Sequence, residues 1–433
     1  MEFIDLGLGF GLLGGMLLLL FIGVPIAYAM LTAGLIGLLL TRPWISTEFL
    51  VSTFPYSASA NLAYVVLPLF LFMGHMSFSA GVAHRAFDSA RVWVGSLPGG
   101  LAIATVFACA GFAAVSGSSL ATSATVAQVA VPRMLKEGYS QAISAASVAA
   151  AGTLGVLIPP SGLLIVYAIA TETSVPDLFL AGIVPGILTA VLYAIMLFCW
   201  VKFVPGSGPD LHGRRHSVAE KVRATFNCWE VILLFFVVMG TIYLGIGTAT
   251  EAAAFGAAAS VLIVMFRGRD RRAIIWRGLV DTGVTTSAVF LLIIGAGFFG
   301  LALTTTQVPQ QLTLWLTQFE LPAWQLTLVL LVPYLLLGFF VDAITMMLLT
   351  LPVIFPVVLD AGINPILFGI LVTKCAEIGA ITPPVGLNIF VVKNTVPEID
   401  IMRAFVGAIP FVLVELAIIG LLIAFNDIAL VLV

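Results

Sequence analysis

Two stretches of this sequence place neutral oxygen ligands beside helix-breaking prolines. Ser116-Gly117-Ser118-Ser119, followed by Thr122, Ser123 and Thr125, stands ahead of Gly155 and the run Ile158-Pro159-Pro160-Ser161. Hydroxyl oxygens, and carbonyls freed by a proline break, are hard, uncharged ligands suited to Na⁺. The same residues also fit a packing role, because small Ser, Gly, Thr and Ala side chains let membrane helices approach closely. In the second half, Asp342 and Thr345 stand ahead of Gly379 and Thr382-Pro383-Pro384. A carboxylate at membrane depth costs roughly 2.5–3.5 kcal/mol on insertion scales unless a cation or buried donors accompany it. Asp342 therefore reads either as an ion ligand or as a residue at a shallow turn touching interfacial water.

A third group is Lys374 with Glu377, one helical turn apart in an apolar run. Lys374 suits a carboxylate substrate, with Glu377 holding it when the site is empty, and a structural ion pair that cancels its own charge fits equally. Asn388 and Asn394 further along are polar wall candidates, and Ser119 and Ser161 are the hydroxyls nearest the two interruptions. His75, alone in an apolar run, reads as a packing residue before a proton relay. Cys109, Cys199, Cys228 and Cys375 are scattered singly, without metal or disulfide spacing. No transition-metal site is expected. No P-loop, G-x-S-x-G, H-E-x-x-H or dinucleotide fingerprint is present, so neither ATP hydrolysis nor familiar enzyme chemistry is supported. Any work must draw on an ion gradient. A channel would conduct without saturating, whereas two matched helix breaks favour alternating access.

The elements that position these residues follow from composition and spacing. The chain has 433 residues, 61% of them hydrophobic and only 9% charged, which excludes a soluble globular class. Six Pro and Gly pairs recur 224 positions apart: Pro132/Pro356, Gly138/Gly362, Gly155/Gly379, Pro159/Pro383, Pro160/Pro384 and Gly162/Gly386. A span needs about 20 apolar residues. Runs of that kind lie at 5–22, 25–41, 61–80, 140–171 and 178–203, then at 227–246, 250–266, 284–304, 363–395 and 401–427. The runs 140–171 and 363–395 carry the proline breaks. Between the third and fourth spans of each half lies an apolar pair, 97–136 and 323–359, which is either two complete spans or one re-entrant hairpin. Two amphipathic stretches, 43–60 and 268–283, read as interfacial arms. The first apolar run follows an acidic start without a cleavage pattern and reads as a retained helix, not a signal peptide.

Charge selects between the two readings of the apolar pairs. With hairpins, each half crosses five times, and sixteen of the eighteen basic residues fall on one face, among them Arg85, Arg91, Arg133, Arg214, Arg215, Arg267, Arg269 and Arg403. The others are Arg42, opposite, and Lys374, inside a span. Full crossings would scatter that bias, so the positive-inside rule favours hairpins, a cytoplasmic basic face and both termini outside. The arginine-rich stretches read as topology anchors beside the lipid bilayer, with no nucleic acid as partner. The expected fold is an all-α polytopic membrane protein of two inverted repeats of five spans. Residues 1–203 form the first repeat, 204–225 a cytoplasmic connecting loop and 226–433 the second.

The runs A-V-S-G-S-S-L-A-T-S-A (114–124), V-P-R-M-L-K-E-G-Y (131–139), G-V-L-I-P-P-S-G (155–162), G-F-F-V-D-A-I-T-M (338–346) and E-I-G-A-I-T-P-P-V-G-L-N (377–388) carry a resemblance. In that order they resemble the large, DctM-like membrane subunit of TRAP transporters over essentially the whole chain. The resemblance implies a fold of the ion-transporter superfamily with an elevator motion, in the bacterial inner membrane. It implies two partners, a small four-helix DctQ-like membrane subunit and a periplasmic DctP-like substrate-binding protein. No four-helix region precedes 5–22, so the small subunit is expected to be encoded separately. It also implies Na⁺-driven uptake of a small organic anion, such as a C4-dicarboxylate, a keto acid or a sialic or sugar acid, with no cofactor beyond the coupling ion. On that similarity, Ser116, Gly117, Ser118 and Ser119 with Gly155, Ile158 and Pro159 would form one Na⁺ site. Asp342, Thr345, Gly379, Thr382 and Pro383 would form the second. Ser119, Ser161, Lys374, Glu377 and Asn388 would face substrate. The alternative is a single-component Na⁺/carboxylate symporter of the same superfamily, needing no binding protein.

Overall fold

In the computed structural model, residues 2–209, 216–267 and 270–433 are described. Arg214, Arg215 and Arg269, expected on the basic face, lie outside them. The described residues are helical throughout, with no strand. The first half contains α1 (Glu2–Phe21), α2 (Ile26–Thr41), α3 (Trp44–Ser59), α4 (Val66–Ser79), α5 (Val82–Val94), α6 (Gly100–Ser116), α7 (Ser119–Lys136), α8 (Gln141–Thr153), α9 (Gly162–Thr171) and α10 (Val175–Phe203). The second contains α11 (Val218–Asn227), α12 (Trp229–Tyr243), α13 (Ala249–Arg267), α14 (Arg271–Thr305), α15 (Val308–Thr317), α16 (Ala323–Gly338), α17 (Ala343–Asp360), α18 (Pro365–Ile381), α19 (Leu387–Thr395), α20 (Ile401–Ala424) and α21 (Asp427–Leu430).

Among the described residues, α10, α13, α14, α17 and α20 are each long and apolar enough to cross a membrane alone, and shorter apolar helices such as α2, α6 and α16 pack among them. The chain is a multi-pass membrane protein. The stretches expected to span are largely helical, with 140–171 and 363–395 interrupted at 157–161 and 382–386.

The 224-residue offset reappears in the helix boundaries. Helices α7 and α17 are both 18 residues long and begin 224 positions apart, as do α8 and α18. Each start is fixed by a side chain that accepts the orphan N–H groups of the first turn. Ser118 caps α7 where Asp342 caps α17, and Ser140 caps α8 where Asn364 caps α18.

Two expectations need correction. The stretch 268–283 is no separate arm: from Arg271 it runs without interruption into the following span as the 35-residue α14. No proline falls between 271 and 305, and Gly278 and Gly283 weaken a helix without ending it. The other proposed arm is a separate helix, α3, because Pro43 sets off its start. The segment expected as a connecting loop is partly helical as well, since Ser217 and Glu220 form a capping box that starts α11. Helices α5 and α11 also went unforeseen; each is bent away from its apolar neighbour, by 67° from α4 and 61° from α12.

The two halves interlock. Helix α8, alanine-rich and almost wholly buried, packs on α7 and α6 of its own half and on α20, α19 and α18 of the other. Small side chains make such crossings tight: a Cβ on Gly407 would lie 2.4 Å from the Ala142 carbonyl oxygen. Polar bonds also cross between halves, from Tyr167 Oη to the Pro365 carbonyl at 2.7 Å and from Asn388 Nδ2 to the Ala149 carbonyl at 3.0 Å.

Arg85, Arg91, Arg133 and Arg267, distant in sequence, line one recess. Beneath it, the fully buried Glu230 lies 3.2 Å from Arg85 Nε and 3.0 Å from Arg267 Nε, and Arg133 pairs with Asp88 at 2.6 Å. A buried carboxylate held by two arginines ties α5, α12 and α13 together. Glu230→Ala removes the carboxylate that both guanidinium groups share and should cost on the order of 2–4 kcal/mol, moderated by their partial contact with solvent. The midpoint of thermal unfolding in detergent should fall accordingly, and a wild-type midpoint would contradict this account.

Candidate functional site

The turn between α6 and α7 meets the break between α8 and α9, and the turn between α16 and α17 meets the break between α18 and α19. Both contacts are backbone to backbone: Gly162 N–H donates to the Gly117 carbonyl at 3.2 Å and Val385 N–H to the Phe339 carbonyl at 3.3 Å. Both breaks contain a cis Pro-Pro bond, Pro159-Pro160 and Pro383-Pro384. Glycine is needed opposite each turn. A Cβ on Gly155 would lie 2.8 Å from the Ser118 carbonyl oxygen, and one on Gly379 would lie 2.3 Å from that of Gly338.

Both turns, and helix ends flanking both breaks, open on a single cavity of about 230 Å³. One side is built from Gly117, Ser118, Ser119, Thr153, Gly162 and Leu163, the other from Asp342, Ala343, Ile344, Glu377, Leu387 and Asn388. Leu67 and Leu71 of α4, with Thr285 and Val289 of α14, close it. The first residues of four helices, α7, α9, α17 and α19, thus face one space. Helix N-termini carry partial positive charge and N–H donors, part of which the caps leave free, and these favour anions. Among the described residues, no lysine or arginine lines the wall.

The residues read as a first ion site lie around the first turn. Ser116 Oγ and Thr122 Oγ1 are 2.8 Å apart, Thr122 Oγ1 donates to the Ser118 carbonyl at 2.7 Å, and Ser118 Oγ accepts from Ala121 N–H. Gly117, Ser118 and Ser119 face the cavity, while Ile158 and Pro159 lie in the break behind them. Of the residues read as a second ion site, Asp342 faces the cavity. Its Oδ1 accepts from the N–H groups of Ile344 and Thr345, and its Oδ2 has no hydrogen bond to the described residues. Thr382 Oγ1 donates to the Ile378 carbonyl at 2.6 Å, and Pro383 is exposed although its counterpart Pro159 is buried.

The substrate-facing candidates divide. Ser119, Glu377 and Asn388 line the cavity; Ser161 and Lys374 do not. Ser161 caps α9 by accepting from Leu164 N–H and donates its own hydroxyl to the Val156 carbonyl. Lys374 is fully buried behind the wall, its Nζ 2.6 Å from Glu377 Oε2, 2.9 Å from Glu415 Oε2 and 2.6 Å from Thr189 Oγ1. Nζ donates hydrogen bonds to Glu377 Oε2 and Thr189 Oγ1, and its contact with Glu415 Oε2 is an ion pair. Tyr193 Oη donates to the other oxygen of Glu415. Glu415, Tyr193 and Thr189 did not emerge from sequence reasoning. Glu415 carried a signal, being the one acidic residue within the apolar run 401–424, where an ionisable group invites a partner.

The profile of the family described as "Tripartite ATP-independent periplasmic transporter, DctM component" matches residues 13–428. The chain belongs to this family. It is 38% identical over 364 residues to the C4-dicarboxylate TRAP transporter large permease protein DctM of Pseudomonas aeruginosa, covering 83% of this chain and 84% of that protein. It is 32% identical over 422 residues to the ectoine/5-hydroxyectoine TRAP transporter large permease protein UehC of Ruegeria pomeroyi, covering 96% of each. Among solved structures, the YdaH transporter of Alcanivorax borkumensis has a similar fold, with a TM-score of 0.65 at 16% identity, over 96% of this chain and 99% of that one. The chain is a TRAP large permease subunit and not an enzyme, and DctM subunits work with DctQ and DctP partners.

Two predictions follow from the geometry. Gly379→Ala forces backbone apart where the second turn meets its break, so transport should fall at least about tenfold while the protein still inserts, since even small misplacements at a site are costly. Wild-type uptake would show that the contact is not needed. Lys374→Met leaves Glu377 and Glu415 buried without their cation, at a cost of roughly 3–5 kcal/mol. Its melting midpoint should drop, and adding Glu377→Gln and Glu415→Gln should restore most of it.

Proposed function

We propose that this subunit imports a small organic anion, delivered by a periplasmic binding protein, by coupling to Na⁺. The observation that carries the reading is the single cavity on which two turns, two broken helices and four helix N-termini converge. Unpaired N–H groups would hold the anion. Hydroxyl and carbonyl oxygens around Ser118 and Gly155, and around Asp342 and Gly379, would hold the sodium ions, whose charge would offset the carboxylates in the wall.

In this reading residues 1–203 and 226–433 are inverted repeats, joined by a cytoplasmic connection. The turns of 97–136 and 323–359 are re-entrant within the inner membrane, and both termini are periplasmic. Turns and broken helices would move together as an elevator against the remaining helices, which the small DctQ-like subunit enlarges. A carboxylate such as a C4-dicarboxylate is the first substrate to try, in view of the relative in Pseudomonas aeruginosa.

The test is uptake into proteoliposomes holding this chain and its small partner, with the cognate binding protein outside and a Na⁺ gradient imposed or withheld. Uptake should need both. Asp342→Asn and Ser118→Ala should each reduce it tenfold or more and weaken its dependence on Na⁺. Equal uptake without the binding protein would support a single-component symporter, and indifference to Na⁺ would remove both ion sites.

A further inference from the structure

We infer that the transported anion carries a hydrogen-bond donor, a hydroxyl or N–H group, received by Glu377 and Asn388. The inference rests on the reading of the cavity as the substrate site and narrows the substrate class. Two oxygens of the wall residues are buried without a hydrogen-bond partner, Glu377 Oε1 and Asn388 Oδ1. Glu377 is 1% exposed and Asn388 0%. The orientation of each is fixed by its other atom. Glu377 Oε2 is held by Lys374 at 2.6 Å, and Asn388 Nδ2 donates to the Ala149 carbonyl at 3.0 Å. The atom left over on each of these two wall residues is an acceptor oxygen, which a hydrogen-bond donor completes.

The other half of the molecule sharpens this. At the positions 224 residues earlier stand Thr153, which donates its hydroxyl to the Ala150 carbonyl, and Leu164. Leu164 offers no polar side-chain atom, and Thr153 Oγ1 keeps only the lone pairs of a hydroxyl whose hydrogen is already used. The carboxylate and amide oxygens of Glu377 and Asn388 thus have no counterpart in kind at the matched positions, while helix N-termini lie on both sides. A plain alkyl carboxylate or dicarboxylate would leave Glu377 and Asn388 unsatisfied, which is costly in a buried site. A hydroxy acid, hydroxy sulfonate, or amino or imino acid would satisfy them. Sites built to bind a donor discriminate strongly against analogues that lack it.

Direct binding to the purified complex of this chain with its small subunit, in Na⁺, tests the inference without the selectivity of the binding protein. The probes are matched pairs differing by one hydroxyl: malate and succinate, lactate and propionate, 2-hydroxyethanesulfonate and ethanesulfonate. In any pair that binds, the hydroxylated member should bind at least about tenfold tighter. The ratio should approach one in Asn388→Leu and survive in Asn388→Asp, which keeps the acceptor. Should Asn388→Leu fail to fold, the wild-type ratios still decide. Equal affinities within the pairs would overturn the inference and leave anion transport standing, as would a cation occupying these oxygens instead. An undiminished preference in folded Asn388→Leu would overturn the role of that residue. Silence from every probe, with and without Na⁺, would count against the organic-anion reading itself, and the inference would fall with it.

Discussion

The governing constraint is that an interrupted helix in an apolar setting frees N–H and C=O groups that lipid cannot satisfy. Both proline breaks answer it in one way: the turn of the neighbouring helix pair offers a backbone carbonyl, Gly117 to Gly162 and Phe339 to Val385. Much else is set by those two bonds. They require glycine at 155 and 379, where no side chain fits against the turn. They also hold the starts of α7, α9, α17 and α19 close enough to share one cavity.

A second layer of polar structure supports the first from behind. Lys374, Glu377 and Glu415 form a buried ionic cluster that joins α18 to α20, and Thr189 and Tyr193 bring in α10. The cluster fixes Glu377, and so one wall of the cavity, without presenting a cation to it. Four helix starts face the cavity, while the lysine serves the scaffold.

Much of this was legible in the sequence because it is local. Proline and glycine write helix breaks directly, their 224-residue recurrence marks equivalent elements, and Ser118 and Asp342 stand at helix starts where oxygen side chains belong. Six residues of the cavity wall, Gly117, Ser118, Ser119, Asp342, Glu377 and Asn388, stood out in the sequence for the same reason, whereas apolar wall residues such as Leu67, Leu71 and Val289 carry no such local signal. What stayed hidden depends on distant chain segments. No spacing rule pairs Lys374 with Glu415 or Glu230 with Arg267, and Lys374 looks the same in sequence whether it faces a cavity or two carboxylates. The continuous α14 was missed because a change from amphipathic to apolar composition alters what a helix touches without ending it. Helices α5 and α11 are short and polar, so the search for long apolar runs passed over them.

The matched positions of the two halves share backbone and differ in side chain. Serine faces aspartate at 118 and 342, threonine faces glutamate at 153 and 377, and leucine faces asparagine at 164 and 388. Chemical identity at the cavity is thus lopsided where helix starts are matched. A cap position fixes where a helix begins through its oxygen alone, so the charge it brings can change from serine to aspartate without moving the helix.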